Sequence, residues 1–169
     1  GAFLIGGALP TEVFLNSGKT GRDLQRGAAG RVRRWLDDRV RFGFNEFNAD
    51  TYLGFTAAAL TMLAELGPDV CAPEDADLPP LAAMVLDLLL YDVTLAGHRG
   101  TLGSARGRPT HRLDVPPTSC VLWLLGGRGR CREHAPSKGA VCLALAAAGR
   151  YQPPEALRAV AELPSFPRL

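Results

Sequence analysis

The chain has few aromatic residues, only three histidines, and no Lys or Arg at all between positions 49 and 97. It also lacks any segment with strand-like alternation, any CxxC pair and any uninterrupted apolar run of membrane-spanning length. The longest such run, Leu81 to Ala96, is broken by Asp87 and Asp92. These absences set aside β-sandwiches, ordinary zinc ribbons and transmembrane bundles. The opening "GAFLIGGALP" is apolar but has no basic n-region, so it is not read as a secretory signal. Cys120, Cys131 and Cys142 recur every eleven residues, with His134 among them. That spacing fits no familiar zinc pattern, so free thiols are expected, with no cofactor and a reducing, cytoplasmic compartment.

What is present is a globular composition, with 47% hydrophobic and 21% charged residues in 169 positions. This is enough for one helical domain with a sizeable core, or for a piece of a larger one. The net charge of +2 hides strong segregation. Residues 1–48 carry eight bases and five acids, 49–97 eight acids and no base, and 98–169 eleven bases and four acids. Such blocks either neutralise one another in the fold or recruit charged partners.

Helical periodicity dominates. "GRDLQRGAAGRVRRWLDDRVRFGF" places Leu24, Val32, Trp35, Leu36 and Val40 on one stripe opposite arginines. "NADTYLGFTAAALTMLAELG" predicts a second helix, with Asn48 or Asp50 as cap and Gly67 as stop. After the acidic, proline-rich connector 67–80, "LPPLAAMVLDLLLYDVTLAGH" predicts a third helix, apolar nearly all round and therefore buried on several sides. Shorter helices follow in "TSCVLWLLGG", "SKGAVCLALAAAGR" and "PPEALRAVAEL". The fold class expected is all-α, built from antiparallel helical hairpins.

Alternating helix direction then brings two loops to one end. The first, "FGFNEFNADTY" (42–52), supplies Asn45, Glu46, Asn48, Asp50 and Tyr52; the second, after the third helix, supplies His98, Arg99, Ser104, Arg106 and Arg108. Glu46 and Asp50 could divide acid and base roles, and Asn45 and Asn48 offer directional amides. Tyr52 and His98 could move protons, while the guanidinium groups match a carboxylate, sulfate or phosphate. The set suits removal of a proton next to a carboxylate, and equally suits holding an anionic ligand without reaction. Nucleic acid is disfavoured, since no aromatic residue is interleaved with the arginines from Arg99 to Arg112.

The pair of motifs "RFGFNEFNADTY" and "LAAMVLDLLLYDVTLAGHRGTLGSARGR" resembles a group of bacterial (α/α) toroid proteins. Their shape is similar to six-hairpin glycosidases and to heparinase- and alginate-lyase-like toroidal polysaccharide lyases. The resemblance covers roughly residues 10–160. It implies a partial toroid, a carbohydrate-active protein of lyase or hydrolase type, and an anionic polysaccharide or oligosaccharide as partner. It also implies catalytic roles for Asn48, Tyr52, His98 and Arg99, matched by residue type and loop position. Glu46 and Asp50 remain further catalytic candidates, and Asn45, Ser104, Arg106 and Arg108 would bind substrate. Two departures stand out: Ala49-Asp50 replaces the usual Ser-Pro-like pair, and Pro109-Thr110 follows Arg108 where the pattern has an aromatic residue. The alternative is a non-catalytic helical module that holds an anionic glycan or protein through Arg99, Arg106 and Arg108.

Overall fold

A computed structural model describes residues 1–45, 52–98, 101–102, 121, 125 and 149–162. The core forms around the helix with the most uniformly apolar sequence. This is α4 (Leu78–Ala96), in which Leu78, Ala82, Val85, Leu86, Leu89, Leu90 and Val93 are all fully buried. By length and composition the stretch Pro73–Ala96 is apolar enough to cross a membrane, contrary to the reading from the Asp87 and Asp92 interruptions. Half of its most apolar eighteen residues is buried inside the protein, as befits a central core helix.

Four further helices are described around it. They are α1 (Ala2–Ala8), α2 (Gly21–Phe42), α3 (Leu53–Val70) and α5 (Glu155–Glu162). A short antiparallel ribbon, β1 (Val13–Phe14) with β2 (Lys19–Thr20), joins α1 to α2. A one-turn 3-10 helix, Pro73–Asp75, leads into α4. A second ribbon follows α4, pairing β3 (Gly97–His98) with β4 (Thr101–Leu102). The chain is thus mostly helical, as expected. The two ribbons depart from that expectation because two-residue strands are too short to register as an alternating pattern.

Local chemistry explains the helix boundaries. α2 opens on a reciprocal capping box: the Asp23 N–H donates to the Thr20 hydroxyl, and the Thr20 N–H donates to the Asp23 carboxylate. α3 starts later than predicted, with Tyr52 at its N-cap and no side-chain cap, while Asn48 and Asp50 lie outside the described residues. It also continues past Gly67 to Val70 with Pro68 inside it. Gly67 is a packing position instead. A Cβ there would lie 2.6 Å from the Pro79 ring, so its absence lets α3 and α4 close into an antiparallel hairpin. Buried Thr61 and Thr94 satisfy their hydroxyls on the carbonyls four residues back, at 2.9 and 2.7 Å.

α1 was not legible as a helix, and it changes the architecture. α2 packs chiefly on α1 and α4, and α3 on α4 and α1, so α1 opens the expected α2–α3 hairpin. Gly6 and Gly21 meet backbone to backbone, and a Cβ on Gly21 would overlap the Leu9 carbonyl. Buried Gln25 then ties the start of α2 to the end of α3, donating to the Val70 carbonyl at 2.8 Å. The predicted α2 stripe shifts as a result. Leu36 is buried with Gln25, Ala28 and Ala29, whereas Trp35 and Val40 are exposed. Among the described residues of the C-terminal half, Val121, Leu125, Tyr151 and Leu157 also enter the core.

Candidate functional site

Helix lengths determine where space is left. At about 1.5 Å per residue, seven-residue α1 spans roughly 10 Å and 22-residue α2 roughly 33 Å. α1 therefore fills the seam between α2 and α3 only at the end where α2 begins and α3 stops. Beyond it the seam holds a mostly apolar trough of about 470 Å³, walled by Phe3, Leu4, Val32, Phe55, Leu60 and Leu63, with Arg31 and Gly1 also in its lining. Further along, where α2 ends and α3 begins, lies a smaller hollow of about 170 Å³. It is lined by Trp35, Arg39, Phe44, Asn45, Tyr52, Leu53 and Thr56. Trp35 and Thr56 belong to both, so the two hollows adjoin.

The polar hollow holds a compact set of groups. The Arg39 guanidinium lies over the Trp35 indole, 5.5 Å from the ring centroid, at cation–π range. The Arg39 Nε–H is buried and has no hydrogen-bond partner among the described residues. Asn45 brings an amide to the rim and Tyr52 a phenol; both residues are exposed, Tyr52 at 53%. Trp35, at 41% exposure, presents a large apolar surface to solvent at the same place. Together these groups can stack on an apolar face, pair with an anion and hydrogen-bond to hydroxyls.

Of the predicted site residues, Asn45 and Tyr52 therefore share one hollow. Glu46, Asn48, Asp50, Arg99, Ser104, Arg106 and Arg108 lie outside the described residues, as does the side chain of His98. The backbone of His98 is in β3, directly after α4. Antiparallel packing of α3 and α4 puts that ribbon at the end of the hairpin where Tyr52 begins α3. Trp35, Arg39, Phe44 and Thr56 were not anticipated. The cue for the first two was available, since Trp35 and Arg39 are one turn apart on a helix.

The charge blocks partly neutralise each other where the middle of α2 meets the segment before α4. Arg33 of α2 forms a two-pronged pair with Asp77, one prong at 2.7 Å, and reaches Asp75 at 3.7 Å. Its hydrogen bonds to Asp77 raise the affinity of the guanidinium for its proton and lower that of the Asp77 carboxyl. Burial raises the nearby Cys71 thiol above its ordinary range, with Asp75 and Asp77 adding to the effect.

A second polar cluster fastens the C-terminal segment. The Glu65 carboxylate accepts from the backbone N–H groups of Gly149, Arg150 and Tyr151, at 3.1 and 2.9 Å for the first two. Arg150 also pairs with Asp69 at 2.9 Å and donates to the Glu65 carbonyl. Burial pushes the Glu65 carboxyl up, but the three N–H donors outweigh it and the net shift is downward. Tyr151, itself buried, donates its hydroxyl to Asp87 at 2.6 Å. Burial raises Asp87 above the usual carboxylate range despite that bond, and burial likewise raises Asp92.

No group of three or more His, Cys, Asp or Glu side chains converges as a metal site among the described residues. No family model, curated protein or solved structure matches the chain.

Proposed function

We propose that this chain recognises an acidic saccharide at the junction of α2 and α3. The observation that carries this reading is the meeting of Trp35, Arg39, Asn45 and Tyr52 in a single hollow of about 170 Å³. That volume is below the range of drug-sized pockets and suits one compact polar unit such as a sugar residue. The indole offers a flat apolar surface for the C–H face of a pyranose. The Arg39 guanidinium provides the charge for a uronate carboxylate, and the amide and phenol answer ring hydroxyls.

In the finer form of the proposal, the chain belongs to a toroidal polysaccharide lyase or glycoside hydrolase, as the resemblance of its two motifs implies. Asn45 and Arg39 would neutralise the substrate carboxylate while Tyr52 transfers a proton at the reacting carbon or the departing oxygen. The roles of Glu46, Asn48, Asp50, His98, Arg99, Ser104, Arg106 and Arg108 follow from sequence alone.

The test is a titration of the protein with uronic-acid oligosaccharides by calorimetry, followed by assays for unsaturated uronate and for new reducing ends. Arg39→Gln should weaken binding about tenfold or more, in line with the loss of a charge-assisted hydrogen bond, and should remove its salt dependence. Binding with no product from any acidic glycan would favour the non-catalytic module. An affinity that is unchanged in Arg39→Gln and Trp35→Ala would overturn the site.

A further inference from the structure

The polar hollow does not stand alone. It is the open end of a seam whose other portion, between α1 and Trp35, is an apolar trough of about 470 Å³. This is within the size range of ordinary small-ligand pockets, which join a largely apolar lining to a few placed polar groups. Phe55, a trough wall, stays 52% exposed, and Trp35 and Thr56 are common to trough and hollow. From Val32 to Arg39 is seven residues, roughly 10 Å of helix. One ligand can therefore lie along the seam with an apolar group in the trough and a charged head at Arg39. Arg31 and Gly1 also line the trough, so charge alone does not orient the ligand; its direction follows from Asn45 and Tyr52, which stand with Arg39 at the hollow end, while Phe3, Leu4 and Leu63 wall the trough.

Resting on the saccharide reading, we infer that the ligand is an acidic sugar bearing an apolar aglycone, such as an alkyl or lipid-linked uronate, rather than an unmodified polysaccharide. The sugar carboxylate pairs with Arg39, the ring stacks at Trp35, and the aglycone runs toward α1. Each methylene buried in the trough adds about fourfold to affinity at most, so the chain length of the aglycone is read out directly.

The experiment compares methyl glucuronide, octyl glucuronide and octyl glucoside by calorimetry, all below micelle-forming concentrations. Octyl glucuronide should bind at least tenfold tighter than methyl glucuronide and at least tenfold tighter than octyl glucoside. Ala59→Trp places a large ring in the trough from an exposed position of α3, and should make the two glucuronides converge in affinity. Phe55→Ala, also at an exposed position, should narrow the same gap by removing a wall. Equal affinities of methyl and octyl glucuronide in the unaltered protein would overturn this inference and leave the saccharide reading intact. Octyl glucoside binding as tightly as octyl glucuronide would also overturn it, because the head would then contribute nothing. Failure of both glucuronides to bind would remove the saccharide reading itself.

Discussion

At the scale of single residues, small side chains decide how the helices meet. Gly21 opens α2 in direct backbone contact with α1, whereas Gly27 has nothing within 4 Å of the position a Cβ would take. The same Gly→Ala change therefore has opposite outcomes at the two sites. Gly21→Ala forces α1 away from α2 and should destabilise the fold by about 1–3 kcal/mol, the usual cost of overpacking. Gly27→Ala adds helix propensity with no clash and should stabilise by about 0.5–1 kcal/mol. Thermal or urea unfolding of the two variants measures both signs. Sequence alone does not separate these glycines, since each reads as an unfavourable residue in a helix. Only the Leu9 carbonyl makes one of them obligatory.

Among the elements, those with strong periodicity or uniform apolarity were legible. α4 announces itself by composition, and α2 and α3 by amphipathic pattern; α2 and α4 each stop two residues before the end of the pattern that predicts them, at Phe42 and Ala96, and α3 shifts at both ends. The helices expected in "TSCVLWLLGG" and "SKGAVCLALAAAGR" lie almost wholly outside the described residues. α1 was missed because seven apolar residues containing two glycines carry no period. Asn45 and Tyr52 were legible as site candidates from the polar inventory around them. Trp35 falls on the predicted core stripe because a helical period does not reveal that a third helix holds α2 and α3 apart. The acidic clasp between α3 and the 149–151 segment was equally hidden, because its two halves are more than eighty residues apart. It carries a pH prediction. Glu65 is depressed in the fold, so its stabilisation is fully present above the ordinary carboxylate pKa and is lost as pH falls through its lowered folded value. Asp87 is raised, so its contribution has the opposite sign: it favours the fold at low pH and fades as pH rises through its folded value. Glu65→Gln should thus lower Tm at pH 7 and lose less stability than the unaltered protein on going from pH 5 to pH 3. A parallel acid limb in the two proteins would show that Glu65 does not set it.

For the whole molecule, two arginines six residues apart on α2 serve different neighbours. Arg33 grips Asp75 and Asp77 ahead of α4, while Arg39, roughly 9 Å further along the helix, lies beside an exposed indole and phenol. The clasp has a further consequence for chain connectivity. Gly149, Arg150 and Tyr151 are held by α3 and α4, and α5 follows them directly. Glu65 and Gly149 are 84 positions apart yet hydrogen-bonded, and the covalent chain keeps the two partners at high local concentration. A single break just before Gly149 turns a unimolecular closure into a bimolecular one. The severed C-terminal piece should then remain attached at high protein concentration and dissociate on dilution, sooner in Glu65→Ala than in the unaltered chain. Size-exclusion chromatography across a dilution series, after cleavage at a specific protease site inserted before Gly149, reads this out directly. The protein would behave as a pair of complementing fragments, and the strength of their reassociation would measure the clasp.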